Sequence, residues 1–151
     1  MASGLGYGQS TIAGLVTRGC REMAMLSIAL GGRAETLAGL SGAGDLMLTC
    51  FSTLSRNNRF GTALAKGKSV DEAIEEIGEV VEGYPTAAEV ARLARENGLH
   101  LPLFMAVHAI LKGDIAPEAA MQKLMSLPPG LEKPMPSPQT NKRKKSTVDD
   151  S

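Results

Sequence analysis

The sequence predicts an all-α, multi-helix domain, and three observations predict it. Apolar residues recur at helical spacing in several separate segments. Helix start signals are frequent: Ser69-Val70-Asp71-Glu72 and Thr86-Ala87-Ala88-Glu89 both have the form of a capping box, in which a hydroxyl and a carboxylate satisfy reciprocal backbone N–H groups. The alternation of β-branched residues that marks a strand never lasts four residues. At 151 residues and 43% hydrophobic, the chain is long enough for one domain with a real core. Only 3% of it is aromatic and it has no Trp, so that core must be aliphatic.

Taken in order, Ser10 to Leu30 predicts a long helix, with Ile12, Leu15, Val16, Met23, Leu26 and Ile28 near helical spacing and Gly31-Gly32 as its stop. Gly14 and Gly19 lower its helix propensity, so both are expected to mark close packing. Ala34 to Leu40 predicts a short helix, and Leu46 to Cys50 one or two further turns. Arg56 to Lys66 follows, with Ser55 as N-cap and Gly67 as the stop. The first capping box opens a helix to Ile77, and the second opens one at Thr86 that runs to Asn97-Gly98. Leu103 to Leu111 is bounded by Pro102 and Gly113. The last helix starts at Pro117, a residue suited to a first helical position, and runs to Leu127.

The folded domain is thus read as residues 8–127. Residues 128–151 differ in character: they are rich in proline, carry the cluster Lys142-Arg143-Lys144-Lys145, and hold too few apolar residues to offset ordering entropy. A disordered tail is expected there. No internal repeat is visible.

Several function classes are disfavoured. Formal net charge is zero, with a slightly acidic body and a slightly basic tail, so the folded part has no general affinity for nucleic acid. No apolar run approaches the roughly 18 residues of a membrane span. The start, MASGLGYGQS, lacks the form of a secretory signal. Cys20 and Cys50 share no CxxC spacing and are too few for a disulfide framework, which points to a reducing compartment. His100 and His108 stand apart from both cysteines, so no metal site is expected.

Two places could carry chemistry. Arg56-Asn57-Asn58-Arg59 follows Ser55 at a helix start, where unpaired N–H groups and a partial positive charge already favour an anion. A guanidinium fork there makes a cradle for phosphate or carboxylate; the plain alternative is a solvated first turn. Asp45 and Thr49 are four apart and share one helix face, where they could hold a hydroxylated ligand. Alternatively, Asp45 is an N-cap and Thr49 bonds to its own turn. Gly42-Ala43-Gly44 is not a dinucleotide loop, because no strand precedes it and Met47 stands where a third glycine belongs. Glu82 falls in a turn before a helix.

Four stretches together carry a resemblance: TRGCREM (Thr17–Met23), GLSGAGDLMLTC (Gly39–Cys50), LSRNNRFG (Leu54–Gly61) and VVEGYPTAAEV (Val80–Val90). In this order and spacing they resemble the C-terminal, substrate-binding domain of NAD(P)-dependent glycerol-3-phosphate dehydrogenase, in its bacterial or plastid form. The resemblance covers about residues 8–127. It implies an all-α fold like the C-terminal domain of 6-phosphogluconate dehydrogenase-like enzymes. It also implies an oxidoreductase that interconverts sn-glycerol 3-phosphate and dihydroxyacetone phosphate with NAD or NADP. On this resemblance Asp45, Thr49, Ser55, Arg56 and Asn57 hold the phosphorylated triose, while Arg56, Val80 and Glu82 line the cofactor side. Without ligand, Arg56 is expected to pair with Asp45.

The family's Rossmann domain has no counterpart in this sequence, and neither does its proton-transferring lysine, since no lysine precedes Lys66. No catalytic residue can therefore be named. The expectation is a chain inert by itself, partnered by a dinucleotide-binding domain in cis or trans, and able to form a homodimer. An exposed apolar docking patch is expected mainly on the first helix, and the location is expected to be cytoplasmic or, alternatively, plastidic. A second reading is a non-enzymatic, all-α module that binds phosphate or another protein.

Overall fold

A computed structural model describes residues 1–127, which form eight α-helices: α1 (Gln9–Ala29), α2 (Ala34–Leu37), α3 (Asp45–Phe51), α4 (Arg56–Ala65), α5 (Val70–Ile77), α6 (Gly83–Glu96), α7 (Pro102–Leu111) and α8 (Pro117–Ser126). Among these residues there is no strand, so the all-α expectation holds. The expected tail lies outside the described residues.

Local sequence explains most of the helix ends. Ser55 accepts the Asn58 N–H at 3.3 Å and caps α4. Ser69 and Glu72 form the reciprocal capping box of α5, which Gly78 ends in the left-handed region. Pro102 and Pro117 both sit at the first positions of their helices.

Three expectations are corrected. Thr86 and Glu89 form no capping box, because α6 starts three residues earlier, at Gly83. Pro85 falls in the first turn, where its missing N–H costs nothing, so the helix extends upstream past Thr86. Thr86 instead donates its hydroxyl to the Glu82 carbonyl at 2.7 Å, and Glu89 pairs with Arg92. The short helix after α1 stops at Leu37, and the chain then winds into one wide π-type turn, Leu40–Gly44, that runs directly into α3. Gly14 faces open space. Gly19 does mark a close approach: a Cβ there would stand 3.3 Å from a Leu46 methyl and 3.5 Å from one of Leu103.

The main core cluster joins α4 and α5. Phe60, Ala63, Leu64, Ala73 and Ile77 pack with Val81, and Met1, Val70, Ile74 and Leu111 close its margins. The Phe60 and Tyr84 rings meet edge to face at 6.2 Å. Ala91 and Ala94 of α6 are buried where α6 turns back against α7. On the other side, α1 buries Ile12, Val16 and Ala24, and α8 buries Ala120, Met121 and Leu124.

Glu22 is the one buried charged residue among those described. Its two carboxylate oxygens accept the Leu103 and Phe104 N–H groups at 2.9 and 3.0 Å. The start of α7 has no local side-chain cap, so a residue of α1, 81 positions earlier in the chain than Leu103, supplies one. Burial pushes the Glu22 carboxyl above its ordinary value, against the pull of those backbone N–H groups, Arg18 and His100.

Candidate functional site

Helix α3, into which the wide turn leads, forms one wall of a cleft. Gly42 permits the turn: a Cβ at this position would lie 2.2 Å from the Leu37 carbonyl oxygen, which no side chain could tolerate. The turn delivers Asp45 as the first residue of α3, with Gly44 before it already helical and no side-chain cap. Asp45 is therefore not an N-cap. Thr49, one turn on, makes no side-chain bond to its own turn among the described residues. The local alternatives to ligand binding thus lose their structural support at both positions.

The opposite wall is the start of α4. Four residues, 52–55, reverse the chain, with Ser52 accepting the Leu54 N–H at 3.2 Å. Asn58 then ties the two helices together by donating its amide to the Cys50 carbonyl at 2.7 Å, satisfying an orphan carbonyl at the end of α3. Asn57 links α4 to α6: its Oδ1 accepts the Gly83 N–H at 3.2 Å. A Cβ on Gly83 would stand 2.6 Å from that oxygen, so a larger residue there would push the Asn57 side chain aside. This bond brings Val80 and Glu82 to the rim.

The result is an open, polar cleft of about 490 Å³. All seven residues singled out in the sequence line it: Asp45, Thr49, Ser55, Arg56, Asn57, Val80 and Glu82. Leu48, Ser52 and Leu54 complete the wall. Sequence reasoning passed over these three because their types are ordinary for a loop and a helix face.

One expectation fails here. Arg56 does not pair with Asp45. Its guanidinium lies 3.8 Å from the Glu79 carboxylate, and Arg59 approaches the same carboxylate at 3.9 Å. Both distances exceed a good hydrogen bond, and all three side chains are about half exposed, so the cluster is held loosely. Glu79 went unremarked in the sequence, although it adjoins the Val80–Val90 motif; only the fold shows that it faces two arginines of α4. Asp45 is left with no salt-bridge partner among the described residues.

Exposed apolar side chains surround this cleft. Leu48, Leu54 and Val80 are 68%, 87% and 70% exposed, and Leu40, Met47 and Phe51 extend the patch along the wide turn and α3. The expected apolar patch is therefore at the cleft rim. The first helix contributes little to it: none of the large exposed apolar side chains belongs to α1. Cys20 and Cys50 are free, and burial pushes the Cys50 thiol up, away from a reactive thiolate. No described helix is long and apolar enough to cross a membrane.

Comparison with known proteins accounts for this architecture. The family of NAD-dependent glycerol-3-phosphate dehydrogenase C-terminal domains matches over residues 1–122. Glycerol-3-phosphate dehydrogenase [NAD(P)+] of Xanthomonas euvesicatoria is 51% identical over 126 residues, a segment that is 83% of this chain and 37% of that relative. The Xylella fastidiosa protein of the same name is 50% identical over 126 residues, covering 36% of its length. The crystal structure of glycerol-3-phosphate dehydrogenase from Coxiella burnetii superposes with a TM-score of 0.81 at 43% identity, over 83% of this chain and 39% of that one. The chain thus spans well under half the length of the relatives it matches. On these grounds it belongs to the NAD(P)-dependent glycerol-3-phosphate dehydrogenases, as a C-terminal, substrate-binding domain of the bacterial type.

Proposed function

We propose that this chain supplies the triose-phosphate site of a glycerol-3-phosphate dehydrogenase, interconverting sn-glycerol 3-phosphate and dihydroxyacetone phosphate with NAD or NADP. The observation that carries the proposal is the convergence of the seven residues on one cleft. Arg56 and the start of α4 form its cationic side, where a phosphate would displace the loosely held Glu79. The Asp45 carboxylate, about one helix turn from Thr49, accepts a hydrogen bond from a hydroxyl of the triose. Asn57 already spends its oxygen on Gly83 and presents its amide as a donor to the ligand.

The residues here fit one end of a dinucleotide. Among the described residues no glycine-rich strand-to-helix turn exists to hold a pyrophosphate. Val80 and Leu54 offer an exposed apolar seat at the rim for a flat ring, with Arg56 and Glu82 beside it. When bound, NAD(P)H supplies the hydride. The chain's own part is to fix the carbonyl carbon in place and to exclude water from it. No lysine lines the cleft, so the proton donor must come from elsewhere. Turnover therefore requires a dinucleotide-binding domain, and by itself the chain is inert. We extend the fold reading in the same way, to the wider group of 6-phosphogluconate dehydrogenase-like C-terminal domains.

The test is a chimera in which the N-terminal part of the Coxiella burnetii relative is fused to this chain. It should oxidise NAD(P)H in the presence of dihydroxyacetone phosphate. Arg56→Lys keeps the charge but loses the fork, and should raise KM for the triose phosphate by about tenfold or more with little change in melting temperature. An active chimera whose KM ignores both Arg56→Lys and Asp45→Asn would remove the cleft from the substrate site.

A further inference from the structure

The cleft holds two carboxylates, Asp45 and Glu82, and one guanidinium, Arg56. Neither carboxylate forms an ion pair among the described residues. Arg56 instead approaches Glu79, which is not part of the cleft lining. The fold decides this choice. Gly78 ends α5 with a φ of 67°, and Glu79 is the next residue, directly before Val80 at the rim. Arg56 and Arg59 stand three apart on α4, which packs against α5, and so share the face that meets this carboxylate.

Glu79 is shared almost evenly, at 3.8 Å from Arg56 and 3.9 Å from Arg59, and neither approach is a hydrogen bond. Arg92 shows what a firmly held arginine looks like in the same chain: it donates to Glu89 at 2.9 Å and to Glu96 at 2.6 Å. Two arrangements of equal charge are therefore open to Arg56. It rests on Glu79 beside Arg59, or it turns to an anion in the cleft while Arg59 keeps Glu79. An incoming phosphate and Glu79 compete for one guanidinium, so the ligand gains only the difference between the two arrangements.

We infer that Glu79 is a positioning residue that weakens the grip of Arg56 on the phosphate, and that Arg59 is its anchor, holding Glu79 when Arg56 turns to the ligand. The inference rests on the triose-phosphate reading of the cleft and deepens it. Both sides of the proposed interconversion carry the same phosphate. A tight hold on that group binds substrate and product alike, and slows release without helping the chemical step. A resident counter-anion on Arg56 lowers the hold by one factor for both. All three side chains are about half exposed, so that factor is about threefold.

The experiment measures binding of sn-glycerol 3-phosphate to the full chain by calorimetry at constant ionic strength. Glu79→Gln should tighten binding by about threefold with little change in melting temperature. Arg59→Gln should weaken it by a similar factor, because Glu79 then has Arg56 as its sole partner, and should do little in the Glu79→Gln background. Glu75→Gln removes the same charge from α5 at a residue that forms no ion pair among those described, and should leave binding unchanged. Binding that weakens in Arg56→Lys yet ignores Glu79→Gln overturns the inference and leaves the triose-phosphate reading standing. Equal tightening in Glu75→Gln also overturns it, since the effect would then be one of net charge. No binding, or binding that ignores Arg56→Lys, rejects the triose-phosphate reading and the inference with it. In the chimera, Glu79→Gln should lower KM for dihydroxyacetone phosphate and for sn-glycerol 3-phosphate by the same factor. A fall for only one of them would mean that Glu79 senses the reacting carbon and not the phosphate, which overturns the inference.

Discussion

The end of the domain built from α4, α5 and Val81 and the end built from α1, α7 and α8 differ in how completely they enclose their apolar residues. The first closes on itself: Ala73 is fully buried, and Phe60, Leu64, Ile77 and Val81 are all at most 6% exposed. The second leaves its most apolar helix without one buried residue, beside an aliphatic cavity. The difference teaches that hydrophobicity drives burial only where enough elements meet to enclose it. α4 and α5 are joined by a tight turn and enclose their apolar faces locally. The faces of α1, α7 and α8 diverge around a space that no described element fills.

The largest expected effect tests this difference directly. Phe60→Ala empties a filled site and should cost about 3–5 kcal/mol of stability by urea denaturation. Ile110→Ala enlarges a space that is already open, so its cost should fall well below that. Equal costs at the two positions would mean that the cavity closes in solution, and the contrast would be lost.

An intermediate effect is expected at Glu22, the tether between α1 and α7. Glu22→Gln replaces one acceptor of the bridge by a donor that faces a backbone N–H, and should cost about 1.5–3 kcal/mol. The pH dependence has a definite sign. Burial raises the Glu22 pKa in the folded state, so the folded protein holds this proton more tightly than the unfolded chain. Glu22 thus contributes a loss of stability as pH rises from the ordinary value of 4.5 through the raised one, and none above it. That component of the slope should vanish in Glu22→Gln. An unchanged slope would locate the titration elsewhere.

The smallest effect should come from the well-packed end, at a purely local device. Ser69→Ala removes half of the α5 capping box and should cost about 1 kcal/mol. Because the cap lies outside the core cluster, its loss should add to that of Ile110→Ala without coupling. A coupling energy in the double mutant cycle would show that the two ends communicate.

Much of the fold was legible in the sequence wherever a rule of short range decides it. The Ser55 cap, the Ser69–Glu72 box, the glycine stops and the prolines at helix starts each depend on residues within a turn of one another. Seven residues of the cleft could be named because their types and spacing carry a family resemblance, and the structure gathers them around one space. The sequence misread the start of α6, because the acceptor that relieves its first N–H belongs to Asn57, 26 residues earlier. It also mispaired Arg56, because Asp45 and Glu79 are equally good partners until the fold sets their distances.

By itself, then, the sequence determined which segments are helices, where most of them begin and stop, and which side chains are equipped to meet a phosphorylated ligand. These properties follow from backbone geometry and side-chain chemistry acting over a few residues. Only the tertiary structure decided that Glu22 caps α7, that Glu79 faces the two arginines, that the apolar rim belongs to the cleft and not to α1, and that every residue of α7 stays only partly covered between α1, α6 and α8. Each of these depends on contacts between residues far apart in the chain, whose formation is settled by the packing of whole helices and leaves no periodic trace in the order of the amino acids.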